Sequence, residues 1–270
     1  MSPEPFKIMY LNPFAANDAV DAIFADMARD HKLPGTEVHV AALPKASYGF
    51  SHIEFRTYEA LVTRGIMRAV RTAAREGFDA LAIGCFYDTA LHDALEISDQ
   101  MVVTAPCIAS CEIAASLANR FGIIVGRRKW VHQMKSTVHG YGHAERLAGF
   151  YDVDLGVDDF QKDHAETNRR LLAAGRKAVE EGGAEALILG CTMEVGFYKE
   201  IEKELGVPVI DPSIAALKRA EYAAILKRQC GWVPSRKGSC ESPSEAELAA
   251  FKAFPDDEPI FGSRIIIPAT

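Results

Sequence analysis

Two cysteines end two copies of one sequence pattern. The first copy reads Gly-Phe-Asp-Ala-Leu-Ala-Ile-Gly-Cys and ends at Cys85, and the second reads Gly-Ala-Glu-Ala-Leu-Ile-Leu-Gly-Cys and ends at Cys191 (191 − 85 = 106 residues apart). A cysteine at the end of a buried strand is often there only for packing. Its repetition in two Gly-Cys corners favours catalysis instead, because a thiolate can remove a proton while a second thiol delivers one. The pair predicts proton transfer at opposite faces of one substrate.

The elements around each cysteine also repeat. Each copy follows a run, 64–76 and 168–181, in which apolar residues recur at helical spacing. Each half is therefore predicted to be a helix, a glycine turn, a buried strand and a Gly-Cys corner. Upstream, Lys7–Leu11 and Phe121–Val125 are predicted to be the first strand of each half. Downstream, we predict that Ala105–Ile108 and Val207–Ile210 correspond, each as a short strand leading into an alanine-rich helix.

Alternating strands and helices predict an α/β fold with parallel sheets flanked by helices. We expect two pseudo-twofold-related lobes, with residues 1–117 and 212–270 in lobe one and residues 118–211 in lobe two. Because functional groups gather at the carboxyl ends of parallel strands, the active site is predicted in the cleft between the lobes.

The remainder of the chain has no counterpart in the repeat. A helix over Ser213–Arg228 is predicted to return to lobe one, and Ser242–Glu245 resembles the capped start of a short helix reaching about Phe254. Arg264–Pro268 is an apolar end that needs covering, either by its own chain or by a neighbour. We expect a homo-oligomer.

The composition excludes several classes of function. The 270 residues include 30 basic and 37 acidic side chains, giving a net charge of −7, which argues against binding to nucleic acid or an anionic membrane and favours a small-molecule partner. The most apolar longer region, 107–125, is interrupted by polar residues and is too short to span a bilayer. Met1–Pro5 lacks the basic start of a signal peptide, so we expect a cytoplasmic protein with six reduced cysteines.

The sequence resembles the hydantoin and allantoin racemases of the aspartate/glutamate racemase superfamily. The likeness runs from about Lys7 to Glu221 and is strongest at Gly84-Cys85-Phe86-x-Asp88, at Leu189-Gly190-Cys191 and over Gly206–Asp211. The resemblance implies that Cys85 and Cys191 exchange a carbon-bound proton without metal or pyridoxal phosphate. A helix N-terminus would stabilise each thiolate, and we expect each corner to open a helix.

Five further residues are candidates for substrate binding. Where the family usually has Asn-Pro-Asn-Thr, this chain has Asn12-Pro13-Phe14-Ala15, which predicts a less polar pocket. Arg127 follows the first strand of the second half and either clamps a substrate carboxylate or lies in a solvated loop. Thr192 follows the second cysteine. Asp88 orients a thiol, binds substrate amides or caps the helix after its corner. These differences from the family's usual residues fit an anionic substrate with an apolar portion.

Alternatives to racemisation remain open at this point. Within the same fold, a cysteine-dependent isomerase or decarboxylase of a small dicarboxylic acid would also suit Arg127, and a non-catalytic ligand-binding protein would keep the fold without the chemistry. Metal binding is disfavoured. Cys107 and Cys111 are spaced for helix packing, and Gly140 and Gly142 argue against one helix carrying both His139 and His143.

Overall fold

The computed structural model describes residues 4–254 and 259–270, so Met1–Pro3, part of the segment used to predict localisation, lies outside the described residues. The strands are β1 (Phe6–Ala15), β2 (Thr36–Leu43), β3 (Ala80–Ile83), β4 (Val102–Thr104), β5 (Phe121–Val125), β6 (Leu147–Asp152), β7 (Ala186–Leu189), β8 (Val209–Ile210) and β9 (Ser263–Ile267). The helices are α1 (Asp18–His31), α2 (Arg56–Arg75), α3 (Leu91–Ile97), α4 (Pro106–Leu117), α5 (Val131–Gly140), α6 (His164–Glu180), α7 (Tyr198–Leu205), α8 (Pro212–Cys230) and α9 (Glu245–Ala250).

The strands form two sheets with the same connection order. The first sheet runs β4-β3-β1-β2-β9, with its first four strands parallel and β9 antiparallel at the edge. The second sheet runs β6-β5-β7-β8 and is parallel throughout. In the first sheet β1 lies between β2 and β3, and β4 lies beyond β3. In the second sheet β5 lies between β6 and β7 in the same way, and β8 lies beyond β7. The predicted α/β fold, its parallel sheets and the internal repeat are confirmed.

The predicted helices before the two cysteine-bearing repeats are present and longer than the sequence pattern indicated. They begin at Arg56 and His164 and end at Arg75 and Glu180. The Asp163 side chain caps the second of them by accepting a hydrogen bond from the Glu166 N–H at 3.0 Å.

The predicted match between Pro106 and Pro208 is wrong. Pro106 is the first residue of α4, and the short strand β4 precedes it, whereas Pro208 precedes the strand β8. The true counterpart of Pro106 is Pro212, which opens α8. Proline is well tolerated at the first position of a helix because its missing N–H would have no partner there. This correction gives an offset of 106 residues (212 − 106 = 106), the same as for the two cysteines.

The chain divides into two compact units. The first contains the chain up to Ile83, Thr89–Thr104 and the chain from Leu217, and the second contains Gly84–Asp88 and Ala105–Ala216. Three segments therefore differ from the predicted boundaries: Gly84–Asp88, Ala105 with helix α4, and Pro212–Ala216 at the start of α8 all belong to the second unit. The reason for α4 is that it packs on β7, β8 and α5 and buries Cys107, Cys111 and Ala114.

The C-terminal segment is part of the first unit. Strand β9 pairs with β2, so the apolar end docks on its own chain. The Arg264 guanidinium contacts the Glu76 carboxylate and donates to His39 Nδ1 at 2.8 Å, which fixes this edge strand. The predicted capped helix is α9, whose cap is Ser244, and it ends at Ala250 rather than near Phe254. Among the described residues, no helix has both the length and the low polarity that crossing a bilayer requires.

Candidate active site

Cys191 directly follows the Gly190 corner at the carboxyl end of β7. The Gly190 N–H donates to the Ile124 carbonyl oxygen at 2.6 Å, so the corner is held against β5. A Cβ on Gly190 would lie 2.5 Å from the same oxygen and 2.8 Å from a Val125 methyl group. Only glycine allows this approach of the two backbones. Cys191 itself is 8% exposed.

Cys191 caps a single 3-10 turn, Thr192–Glu194, and is linked twice to Glu194. The Glu194 N–H donates to the Cys191 carbonyl oxygen at 3.0 Å, and the Glu194 Oε2 accepts from the Cys191 N–H at 3.2 Å. The expected helix after this cysteine is therefore present only as one short turn.

The corner after Cys85 is a turn and does not open a helix. The Asp88 N–H donates to the Cys85 carbonyl oxygen at 2.9 Å, and α3 begins only at Leu91. Asp88 and Ala90 both have positive φ angles, 53° and 58°. Such left-handed residues cannot continue a right-handed helix, which is why the predicted helix start at Cys85 is wrong.

Asp88 is a buried acceptor for three donors. Its Oδ1 accepts from the Cys107 N–H at 2.8 Å, and its Oδ2 accepts from the Ile108 N–H at 2.9 Å and from the Tyr141 hydroxyl at 2.8 Å. The side chain caps α4 rather than the helix that follows its own corner. Burial raises the pKa of the Asp88 carboxyl to about 7, although its three donors act in the opposite direction.

The two cysteine corners are joined within the second unit. The Thr192 Oγ1 donates to the Gly84 carbonyl oxygen at 3.3 Å, and the Ser213 hydroxyl donates to the Thr192 carbonyl oxygen at 3.1 Å. Gly84 precedes Cys85 and Thr192 follows Cys191. The structure therefore brings the segments of both predicted catalytic residues together, although they are 106 positions apart in sequence (191 − 85 = 106).

Three predicted binding residues occupy other positions. Arg127 follows β5 in the second unit, has extended backbone and is partly exposed. Asn12 and Phe14 are buried in the first unit, where the pairing of β1 with β2 shifts register between Asn12 and Ala15. The Asn12 amide nitrogen donates to Asp21 at 2.8 Å, so part of its hydrogen-bonding capacity serves the first unit itself.

Tyr141 and Glu194 were missed by the sequence analysis. Tyr141 lies at the end of α5, and burial raises its pKa, with the nearby Asp88 carboxylate adding to the effect. Glu194 is fully buried, and burial raises its pKa well above the usual range. Glu194 could have been found from the repeat: it lies three residues after Cys191, as Asp88 lies three after Cys85.

The residues considered for metal binding have other surroundings. Cys107 is buried in α4 and is hydrogen-bonded to Cys111, and this contact together with burial raises its pKa. His139 lies in α5, which ends at Gly140, and His143 lies beyond the helix end, so the prediction that no single helix carries both histidines is confirmed. Within the described part of the chain, no group of three or more His, Cys, Asp or Glu residues is arranged to hold a metal ion.

Known proteins share both the sequence pattern and the fold. A hydantoin racemase from Paenarthrobacter aurescens is 34% identical over 245 residues, which cover 89% of this chain and 99% of that protein. A hydantoin racemase from Pseudomonas sp. (strain NS671) is 36% identical over 190 residues, covering 70% and 75% of the two chains. The solved allantoin racemase from Klebsiella pneumoniae has a TM-score of 0.80 and 28% identity, covering 89% of this chain and 94% of that one.

The sequence profile of the Asp/Glu/Hydantoin racemase family matches residues 8–220. This match includes both Gly-Cys corners, the parallel strands of both sheets from Ile8 onward, helix α4 and the first part of α8. The chain is therefore an isomerase that belongs to the Asp/Glu/hydantoin racemase family.

Proposed function

We propose that the enzyme racemises a hydantoin-like ring by proton transfer between Cys85 and Cys191. The observation that carries the proposal is the meeting of the two repeated Gly-Cys corners through the Thr192–Gly84 hydrogen bond. Two chemically equivalent groups at one place suit a substrate whose two enantiomers differ in the side on which one proton is attached. The relatives named hydantoin racemase and allantoin racemase support this class of substrate.

In the proposed reaction one cysteine is a thiolate and the other a thiol. The thiolate removes the proton from the ring carbon next to a carbonyl, and the electron pair of the broken C–H bond moves into that carbonyl as an enolate. The opposite thiol then donates its proton to the other face of the same carbon, which restores the carbonyl. No electrons are gained or lost, and the two cysteines exchange protonation states. The enzyme is then in the form that acts on the opposite enantiomer, and proton exchange with water restores the first form.

The backbone of Cys191 is held at its corner, which suits a proton carrier that acts at one face of the substrate. Its N–H donates to the Glu194 Oε2 at 3.2 Å, and its carbonyl oxygen accepts from the Glu194 N–H at 3.0 Å. Thiol-to-thiol transfer needs neither a metal ion nor an organic electron sink, because the adjacent carbonyl already accepts the electron pair. Arg127, Asn12 and Phe14 remain predicted substrate contacts, and an anionic group on the substrate would be directed to Arg127.

The experiment is to incubate the enzyme with single enantiomers of 5-substituted hydantoins, of allantoin and of small dicarboxylic acids in deuterium oxide. We expect loss of optical rotation with incorporation of one deuterium per turnover, and no carbon dioxide. Activity should persist after exhaustive treatment with a chelator and with a carbonyl reagent that removes pyridoxal phosphate. Release of carbon dioxide from a dicarboxylic acid, without racemisation of any hydantoin, would replace this proposal with the decarboxylase alternative.

A further inference from the structure

The two halves of the chain use equivalent carboxyl groups differently. Asp88 and Glu194 occupy the same place in the repeat, three residues after their cysteines. Asp88 caps the N-terminus of α4, where the cap position is Ala105 and offers no polar side chain. In the second half the equivalent cap position is Asp211 (211 − 105 = 106), whose Oδ1 accepts from the Ser213 N–H at 3.0 Å.

Asp211 therefore does for α8 what Asp88 does for α4. Its second oxygen also accepts from the Gly196 N–H at 2.9 Å, which ties the loop after Glu194 to the same helix start. Glu194 therefore caps neither α4 nor α8. Its carboxyl instead accepts a hydrogen bond from the Cys191 N–H at 3.2 Å, and its own N–H donates to the Cys191 carbonyl oxygen at 3.0 Å.

From this exchange of roles we propose that Glu194 is the positioning residue for the Cys191 thiol, and that the two cysteine corners are functionally unequal for this reason. This inference rests on the proposed function, in which Cys191 is one of the two proton carriers. Glu194 does not touch the substrate. It fixes the backbone of Cys191, from which the thiol projects, through the hydrogen bond between its carboxyl and the Cys191 N–H.

The surroundings of Glu194 disfavour the charged form of its carboxyl. Its Oε1 is buried and has no hydrogen-bond partner among the described residues, and the Asp211 carboxylate is close enough to raise its pKa further. An uncharged side chain with an acceptor oxygen is therefore sufficient for the task. Glutamine meets that requirement at equal length, whereas methionine keeps the volume and removes the acceptor.

The test compares Glu194→Gln and Glu194→Met with the wild type by timed alkylation with iodoacetamide, followed by mass spectrometry of the Cys85 and Cys191 peptides. We expect Glu194→Met to slow alkylation of Cys191 by about 10-fold or more while Cys85 is unaffected, and Glu194→Gln to remain within about threefold of wild type. In deuterium exchange, Glu194→Met should lower exchange of one enantiomer by about 100-fold, the size expected for a reacting group displaced by about 1 Å.

Glu202→Met is the matched control, because it removes a side-chain acceptor of another backbone N–H, that of Val209, in the same unit. If Glu194→Met does not fold, Glu194→Asp, which is too short to reach the Cys191 N–H, replaces it. Equal changes at both cysteines, or no change at Cys191, would overturn the proposal. Because alkylation needs no substrate, this result stands even if no hydantoin is racemised, so failure of the proposed function is distinguishable.

Discussion

The Thr192 hydroxyl donates a hydrogen bond to the Gly84 carbonyl oxygen, and this bond joins the residue after one cysteine to the residue before the other. Both groups are buried within the second unit. The Gly84 carbonyl would have to find another donor if the hydroxyl were removed. The relative placement of Cys85 and Cys191 therefore depends on one side chain that is itself neither base nor acid.

Thr192→Val should consequently lower both stability and activity. Valine has nearly the same shape as threonine, so the change leaves the Gly84 oxygen unsatisfied without opening a cavity, at a cost of about 1–3 kcal/mol in the free energy of unfolding. Because both corners lose their link, exchange of both enantiomers should decrease together. Thr192→Ser keeps the hydroxyl and is the control. Urea unfolding and deuterium exchange measure the two effects, and a valine variant equal to wild type in both would contradict the prediction.

Asp88 should make stability depend on pH in a defined window. Its carboxyl has a pKa near 3.8 in the unfolded chain and about 7 in the folded protein. Between these values the folded state holds a proton that the unfolded state has released, so the free energy of unfolding falls as pH rises from about 4 to about 7. The stabilisation is fully present below the unfolded pKa. The pKa difference of about 3 corresponds to about 4 kcal/mol in the free energy of unfolding.

The measurement is urea unfolding of the wild type and Asp88→Asn at pH values from 4 to 8. Asparagine cannot titrate, so the difference in unfolding free energy between the two proteins should change across this window and be constant above it. Tyr141→Phe removes a donor that favours the charged carboxylate and should move the window to higher pH. A pH-independent difference between wild type and Asp88→Asn would show that Asp88 keeps its charge throughout.

The repeat in the sequence was sufficient to predict the fold class and to select the two cysteines. A motif that appears twice around buried strands can be recognised without contacts, and the equal connection order of the two sheets follows from it. The fourth strand of each half was harder to predict from the sequence. β4 and β8 have only three and two residues, too few for any periodicity, and the prolines near them were matched incorrectly as a result.

The partners of the buried carboxyl groups could not be predicted from local sequence. Capping of the helix after its own corner was one of three roles left open for Asp88, and it was considered because capping is usually a local interaction. The left-handed backbone at Asp88 and Ala90 instead directs the chain so that the carboxylate reaches α4. Its contact with Tyr141 joins residues 53 positions apart, and no sequence pattern marks that tyrosine. Such contacts are decided by how helices pack on the sheet.

Gly190→Ala should be strongly destabilising, since the added Cβ would lie 2.5 Å from the Ile124 carbonyl oxygen, where neither backbone can move without breaking the sheet. We expect a loss of about 3 kcal/mol in the free energy of unfolding, the upper end of the usual range for overpacked cores. Gly140→Ala is the control: no atom lies within 4 Å of its added Cβ, and alanine is the better helix former. Thermal unfolding of the two variants should give opposite signs, and a tolerated Gly190→Ala would mean that the corner is not fixed by close backbone contact.

Replacement of either cysteine should divide the reaction into its two directions. A serine hydroxyl is far too weak a base at neutral pH, so Cys85→Ser and Cys191→Ser should each lose complete racemisation by at least about 100-fold to 10,000-fold, the usual contribution of acid–base catalysis. The deuterium exchange that remains in each variant should be confined to one enantiomer. With Cys85→Ser only the enantiomer whose proton faces Cys191 should take up solvent deuterium, and with Cys191→Ser only the opposite one.

Cys230→Ser is the control for loss of a thiol, since Cys230 is exposed at the end of α8 in the first unit and should leave both exchange rates unchanged. Deuterium uptake into each pure enantiomer, followed by proton nuclear magnetic resonance, separates the two directions in one experiment. If Cys85→Ser or Cys191→Ser turned over both enantiomers at the wild-type rate, only one thiol would be required. A single cysteine protonating an enolate is the chemistry of a decarboxylase, and that alternative would then be the better account of the site.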